Sequence, residues 1–194
     1  MTVISRIHGG LPDYLASGLS ILFVGINPGL RSSEVGHHYA GPSNRFWKLL
    51  YEAKLVPDRM TCQDDGRLLA YGYGLTNLIA RPTAGTQDLT KQDFLQGRDV
   101  LLAKIEHYQP AIVAVLGMSV ARVLLAPEEI GSSGKRVAKD RIQTGLQPRT
   151  LAGVRVCVLP NPSGRNAHYS YQAMKDLFVE LKDVSLKGPQ SGIT

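Results

Sequence analysis

Ile21-Leu22-Phe23-Val24 is an unbroken apolar run that ends at once in Gly25-Ile26-Asn27-Pro28-Gly29-Leu30. A strand apolar at consecutive residues buries both faces, so its sheet needs cover on both sides. The turn after it is stiff. Pro28 fixes its own φ and disfavours helix at Asn27, and Gly29 is free to take positive φ. In an open α/β sheet the carboxyl ends of the strands open onto the ligand crevice, which places Asn27 at its mouth. A plain strand-to-loop turn reads the same way from these six residues alone.

Residues 20–26, 73–79, 111–116 and 154–159 all read as strands, the last two rich in β-branched residues and closed by Gly117 and Pro160. Between them run helical patterns: Phe46, Leu49, Leu50 and Ala53; then Phe94, Leu101, Leu102 and Ile105, interrupted by Arg98; and finally Ala173, Met174, Leu177, Phe178 and Leu181. At 194 residues the chain suits one domain. The expected fold is α/β: a single domain over 11–184 whose mainly parallel central sheet of about four strands is flanked by helices on both faces. Residues 185–194 lack an apolar pattern and read as a flexible tail, and Gly131 to Thr150 as a long loop or an irregular hairpin.

The net charge of +6 is unevenly placed. Residues 131–165 hold Lys135, Arg136, Lys139, Arg141, Arg149, Arg155 and Arg165 against Asp140 alone, so this segment accounts for the whole excess. A neutral body with one basic segment suggests a polyanionic partner, or a solvated loop that happens to be basic. No run is long enough for a membrane span, the N-terminus lacks a secretory pattern, and Cys62 and Cys157 are too few for a disulfide framework or an iron–sulfur site. The expectation is a cytoplasmic protein. His37 and His38 are adjacent and have no cysteine or carboxylate at ligand spacing, so no metal is expected; as loop residues they read as contacts to solvent or to the polyanionic partner.

Leu159-Pro160-Asn161-Pro162-Ser163-Gly164-Arg165-Asn166-Ala167-His168 follows another buried strand and belongs at the same sheet edge as Asn27. Two prolines stiffen it, Ser163 and Gly164 expose backbone N–H groups, and Arg165 and His168 project outward. Such a loop suits an anion or base edges. It also suits a strand-to-helix connection in which Ser163 caps the last helix.

In their order, the GINPGL turn at 25–30, Asn44-Arg45-Phe46-Trp47-Lys48, Arg81-Pro82-Thr83 and Leu159-Pro160-Asn161-Pro162-Ser163-Gly164 resemble the mismatch-specific uracil-DNA and thymine-DNA glycosylases, over about residues 11 to 181. The resemblance implies a uracil-DNA glycosylase-like fold and a monofunctional, cofactor-free monomer acting on double-stranded DNA with mismatched or deaminated bases. Such an enzyme flips uracil, or a thymine mispaired with guanine, out of the duplex and hydrolyses its N-glycosidic bond to leave an abasic site. Asn27 matches the residue that positions the attacking water. An amide orients water and does not deprotonate it. A related branch carries aspartate at this turn, which implies slower action on plain uracil here.

The resemblance further implies that Tyr39 stacks on the base and that the Ile26 backbone N–H faces the pyrimidine edge. Asn77 then offers a pocket amide, Ser32 or Ser33 touches base or phosphate, and Asn161 and Ser163 bind substrate. Gly164, Arg165, Asn166, Ala167 and His168 form the wedge that fills the gap left by the flipped nucleotide. Arg165 departs from the pattern, since an apolar tip usually stands there. Asp93, three residues after Thr90, reads as a capping-box partner or as an alternative base. Asp13 and Asp88 read as loop carboxylates without a role. Two other readings stay open: a non-catalytic nucleic-acid binder on the same scaffold, and a small-molecule hydrolase or nucleotide-binding domain whose Gly-rich turn holds phosphate.

An arginine at the wedge tip predicts excision that tolerates bases other than guanine opposite the target, and duplex affinity that falls steeply with salt. Excision kinetics with each of the four opposing bases, plus a salt titration of binding, check this. A strict requirement for guanine counts against it.

Overall fold

The computed structural model describes residues 10–125 and 142–187 in full and 2–6 as backbone. Lys135, Arg136, Lys139, Arg141 and the tail from 188 lie outside the described residues. Seven strands form one sheet: β1 (Thr2–Arg6), β2 (Pro12–Ala16), β3 (Ile21–Gly25), β4 (Tyr73–Asn77), β5 (Ile112–Leu116), β6 (Gly145–Leu151) and β7 (Val154–Leu159). Their order is β1-β2-β4-β3-β5-β7-β6. The four expected strands are the parallel centre, β4-β3-β5-β7, and the other three are antiparallel additions at the edges.

Alternation along the central strands divides the interior in two. Ile21, Phe23, Ile112, Ala114 and Cys157 face a core completed by α2 (Phe46–Glu52), α5 (Tyr171–Leu186) and the 3₁₀ segment Cys62–Tyr71. Leu22, Val24, Val113, Val115, Val156 and Val158 face a second core, closed by α3 (Lys91–Tyr108) and α4 (Met118–Leu125). Phe23 is fully buried and meets Phe46 edge-on at 5.3 Å and Phe178 nearly parallel at 6.4 Å. The short α1 (Leu30–Val35) follows the β3 turn.

Several expectations change. Gly29 sits at φ −71°, ψ 157°, so the turn uses no positive φ there. The basic stretch expected as a loop or irregular hairpin is an irregular hairpin arm from Gly145 onward, with a register shift between Leu146 and Thr150 and a two-residue turn, Ala152-Gly153, at positive φ. α5 runs to Leu186, past the expected boundary at 184. Asp13 is no loop carboxylate. It is buried on β2, where it accepts from Thr76 Oγ1 at 2.6 Å and Lys104 Nζ at 2.7 Å, joining β2, β4 and α3.

Phe23→Ala would open a cavity among three aromatic rings and is expected to destabilise the fold by ~3–5 kcal/mol, read from the denaturant midpoint. A loss under about 1 kcal/mol would show that this core collapses around the gap.

Candidate active site

All four parallel strands end on one side, and the segments after them enclose a cleft of about 760 Å³. Gly25 to Ser32 follow β3, Asn77 and Thr83 to Gln87 follow β4, Leu116 and Met118 lie at the end of β5, and Pro160 to Asn166 follow β7. This is the position at which open parallel sheets bind ligands. The charged side chains of the wall are Arg31 and Arg165. Among the described residues lining it, none is an aspartate or glutamate.

Asn27 is held by its amide nitrogen. Nδ2 donates to Thr83 Oγ1 at 2.8 Å, to the Arg81 carbonyl at 3.0 Å and to the Pro28 carbonyl at 3.2 Å. Two of these partners are carbonyls, which only accept, so the amide orientation is determined and Oδ1 is left as the acceptor for a ligand or water. Thr83 is buried, and its hydroxyl donates a hydrogen bond to the Gly85 carbonyl at 2.7 Å. Its backbone N–H donates to the Pro28 carbonyl at 3.1 Å, and it forms an isolated bridge with Gly29. The β3 turn and the segment after β4 are therefore one rigid unit. Thr83 stands within the Arg81-Pro82-Thr83 motif, but nothing local marks its hydroxyl as Asn27's partner.

Tyr39 also lines the cleft, at φ 54°, a conformation costly for a bulky side chain. Its ring packs on Phe46 with centroids 4.1 Å apart. The residue before it is fixed on three sides. The His38 N–H donates to Asp65 Oδ2 at 3.0 Å, its carbonyl accepts from Trp47 Nε1 at 3.2 Å, and its Nε2 bonds the Pro12 carbonyl at 2.8 Å. Burial pushes the His38 pKa down, so the ring is a neutral structural donor, not the solvent or DNA contact expected. Asp65, buried in the 3₁₀ segment, also accepts from Tyr14 Oη at 2.8 Å and has His37 Nδ1 3.2 Å away. Sequence reading passed over Asp65 because its partners lie far away in the chain.

Ile26 lines the cleft with its carbonyl engaged by the Ile79 N–H, and Asn77 lines it from the end of β4. Ser32 is buried and accepts from the Ala40 N–H at 3.0 Å, bracing the Tyr39 loop, whereas Ser33 is not in the cleft wall. On the opposite side Asn161 Oδ1 accepts from the Ser163 N–H, the Asn161 carbonyl accepts from Asn166 Nδ2, and Ser163 Oγ accepts from the Arg165 N–H. The helix cap considered for Ser163 is made by Ser170, which accepts from Ala173. A Cβ on Gly164 would come within 2.5 Å of Ser43, so glycine lets this loop close on the segment before α2, to which the Pro162 carbonyl is tied by the Arg45 N–H at 2.9 Å. Arg165 is exposed, and its Nη1 reaches the Ala84 carbonyl at 3.3 Å on the segment after β4. His168 lines the cleft and Ala167 does not, though both are exposed. Arg149 and Arg155, by contrast, belong to β6 and β7 away from this edge, so of the described basic residues of segment 131–165 Arg165 alone lines the cleft.

Asp93 lies outside the cleft wall. Its Oδ2 accepts from Arg81 Nη2 at 2.7 Å and from the N–H and hydroxyl of Thr90, each at 2.8 Å, in the capping box that starts α3. The Arg81 bond, aided by Thr90, holds its carboxyl down at about 2, so it is ionised at neutral pH. Its route to the cleft runs through Arg81, whose carbonyl holds Asn27.

A model of the uracil DNA glycosylase superfamily matches residues 12–182. The chain belongs to that superfamily. It is accordingly a hydrolase of N-glycosyl bonds that acts on DNA, and the matched residues span β2 to α5, the whole frame of the cleft. For a uracil DNA glycosylase superfamily member, a cleft with arginines and no carboxylate among the described residues of its wall suits a polyanionic substrate.

Thr83→Val keeps the volume but removes the hydroxyl that accepts from Asn27. A fall of tenfold or more in single-turnover uracil excision is expected, with a stability loss of ~1 kcal/mol. An unchanged rate would show that the two carbonyls suffice to hold Asn27.

Proposed function

We propose that the protein is a monofunctional, mismatch-directed DNA glycosylase. It flips uracil, with G·U pairs preferred, out of duplex DNA and hydrolyses the bond between base and sugar to leave an abasic site. The reading rests chiefly on Asn27, an amide locked through its nitrogen, with a free acceptor oxygen, in a cleft whose described wall contains no carboxylate.

The chemistry follows from that arrangement. As the N-glycosidic bond breaks, its electron pair leaves with the base and the sugar becomes oxocarbenium-like. Water then adds to the anomeric carbon, and the proton it loses passes through solvent to the base anion, so that the products are the abasic sugar and neutral uracil. Asn27 Oδ1 accepts a hydrogen bond from this water and fixes its approach. With so weak a base, the rate derives from positioning and from donors that stabilise the departing anion, here the Ile26 N–H and the Asn77 amide. Tyr39 supplies the stacking surface. The loop from Gly164 to His168 supplies the wedge, with Arg165 exchanging its Ala84 contact for stacked bases and phosphate.

A second reading assigns proton acceptance to Asp93, favoured by its link to Asn27 through Arg81, although the bonds that hold its carboxyl low make it a weak base. Incubation with a labelled G·U duplex followed by alkali tests both. Strand scission at uracil is expected, reduced a hundredfold or more in Asn27→Ala and raised on plain uracil in Asn27→Asp. Activity that survives Asn27→Ala but is lost in Asp93→Ala moves the role to Asp93. Binding without scission would instead make the chain a non-catalytic DNA binder.

A further inference from the structure

The Tyr39 hydroxyl is buried and has no hydrogen-bond partner among the described residues. A buried donor left unpaired costs stability, and native proteins keep few of them. The position of this one is specific. A Cβ built on Gly25 would stand 3.1 Å from Tyr39 Oη and 2.6 Å from Asn77 Oδ1, so the end of β3 carries glycine where these two oxygens converge. The side-chain amide of Asn77 makes no hydrogen bond among the described residues, and its oxygen, not its nitrogen, is turned to this space. The Tyr39 backbone is held at positive φ by the fixed His38 before it, which keeps the hydroxyl over Gly25.

We propose that Tyr39 Oη is a positioning group for Asn77: when a base enters the cleft, the hydroxyl donates to Asn77 Oδ1 and holds the amide with Nδ2 toward the ligand. An amide read from one end or the other exchanges donor for acceptor. Uracil presents a carbonyl acceptor at C4, and cytosine presents an amino donor at the same place. An amide free to turn over serves both; one pinned through its oxygen favours uracil. The hydroxyl of Tyr39, beyond the stacking of its ring, thereby becomes a determinant of base specificity. This deepens the glycosylase reading above and rests on it.

Tyr39→Phe deletes the hydroxyl and keeps the ring. Binding is measured to duplexes carrying 2′-fluoro-deoxyuridine or 2′-fluoro-deoxycytidine opposite guanine, in which fluorine slows cleavage of the glycosidic bond. The different cost of unpairing the two bases is common to both proteins and cancels in the comparison. Wild type is expected to prefer the uridine duplex, and Tyr39→Phe to lower that preference about tenfold, the worth of one hydrogen bond, without lowering the thermal midpoint. In an Asn77→Ala background the same substitution is expected to leave the preference unchanged, because the group it positions is gone. A preference that survives Tyr39→Phe intact, or an equal loss with and without Asn77, overturns the inference alone. Wild-type protein that does not separate the two duplexes overturns the glycosylase reading, and this inference with it.

Discussion

Strand β3 is paired on both edges, by β4 and β5, and covered on both faces, by two separate cores. Its residues Ile21 to Val24 are wholly inaccessible to solvent. A strand so enclosed cannot shift without breaking two ladders and two packed layers, so its carboxyl end is a fixed point. Asn27 is two residues beyond that point. The Gly25 and Ile26 carbonyls are taken by Leu78 and Ile79, and the Asn27 amide by Thr83 and Arg81. Rigidity in the middle of the sheet thus reaches a single acceptor oxygen in the cleft.

The opposite wall is held by different means. Tyr39 keeps a strained backbone and an unpaired hydroxyl, and both persist because Asp65, Trp47 and the Pro12 carbonyl leave His38 no alternative position. Asp65 is buried yet well served, by two backbone N–H groups and a tyrosine hydroxyl, which is what makes a carboxylate tolerable there. Buried polar groups stand behind the cleft as supports, while the described residues of the wall include no carboxylate. The separation suits a substrate covered in phosphate, since a carboxylate at the surface of the cleft would repel it.

The central sheet was legible because β3 and β5 are unbroken apolar runs, β7 is one interrupted only by Arg155, and each central strand ends in a glycine, proline or turn. The edge strands were not. β6 reads Gly-Leu-Gln-Pro-Arg-Thr-Leu, with a proline and mostly exposed residues, and only its pairing with β7 makes it a strand. The 3₁₀ segment and α4 were not read as elements either. At the site, the segments that meet were legible and the individual atoms were less so. Ser33 lies outside the cleft wall where Ser32 is buried, and His38 is a core histidine, whereas the capping-box reading of Asp93 holds.

The sequence by itself determined which strands form the centre, which turns follow them and hence which side chains share one edge, since apolar runs and turn residues act over a few positions. It also carried the ordered motifs that place the chain in its superfamily. Tertiary structure alone decided which way the Asn27 amide faces, because its partner Thr83 lies 56 residues away, and why Tyr39 can hold its conformation, because Asp65 stands 27 residues from His38. Hydrogen-bond direction is a property of two groups in space, and no local pattern in the chain encodes the second.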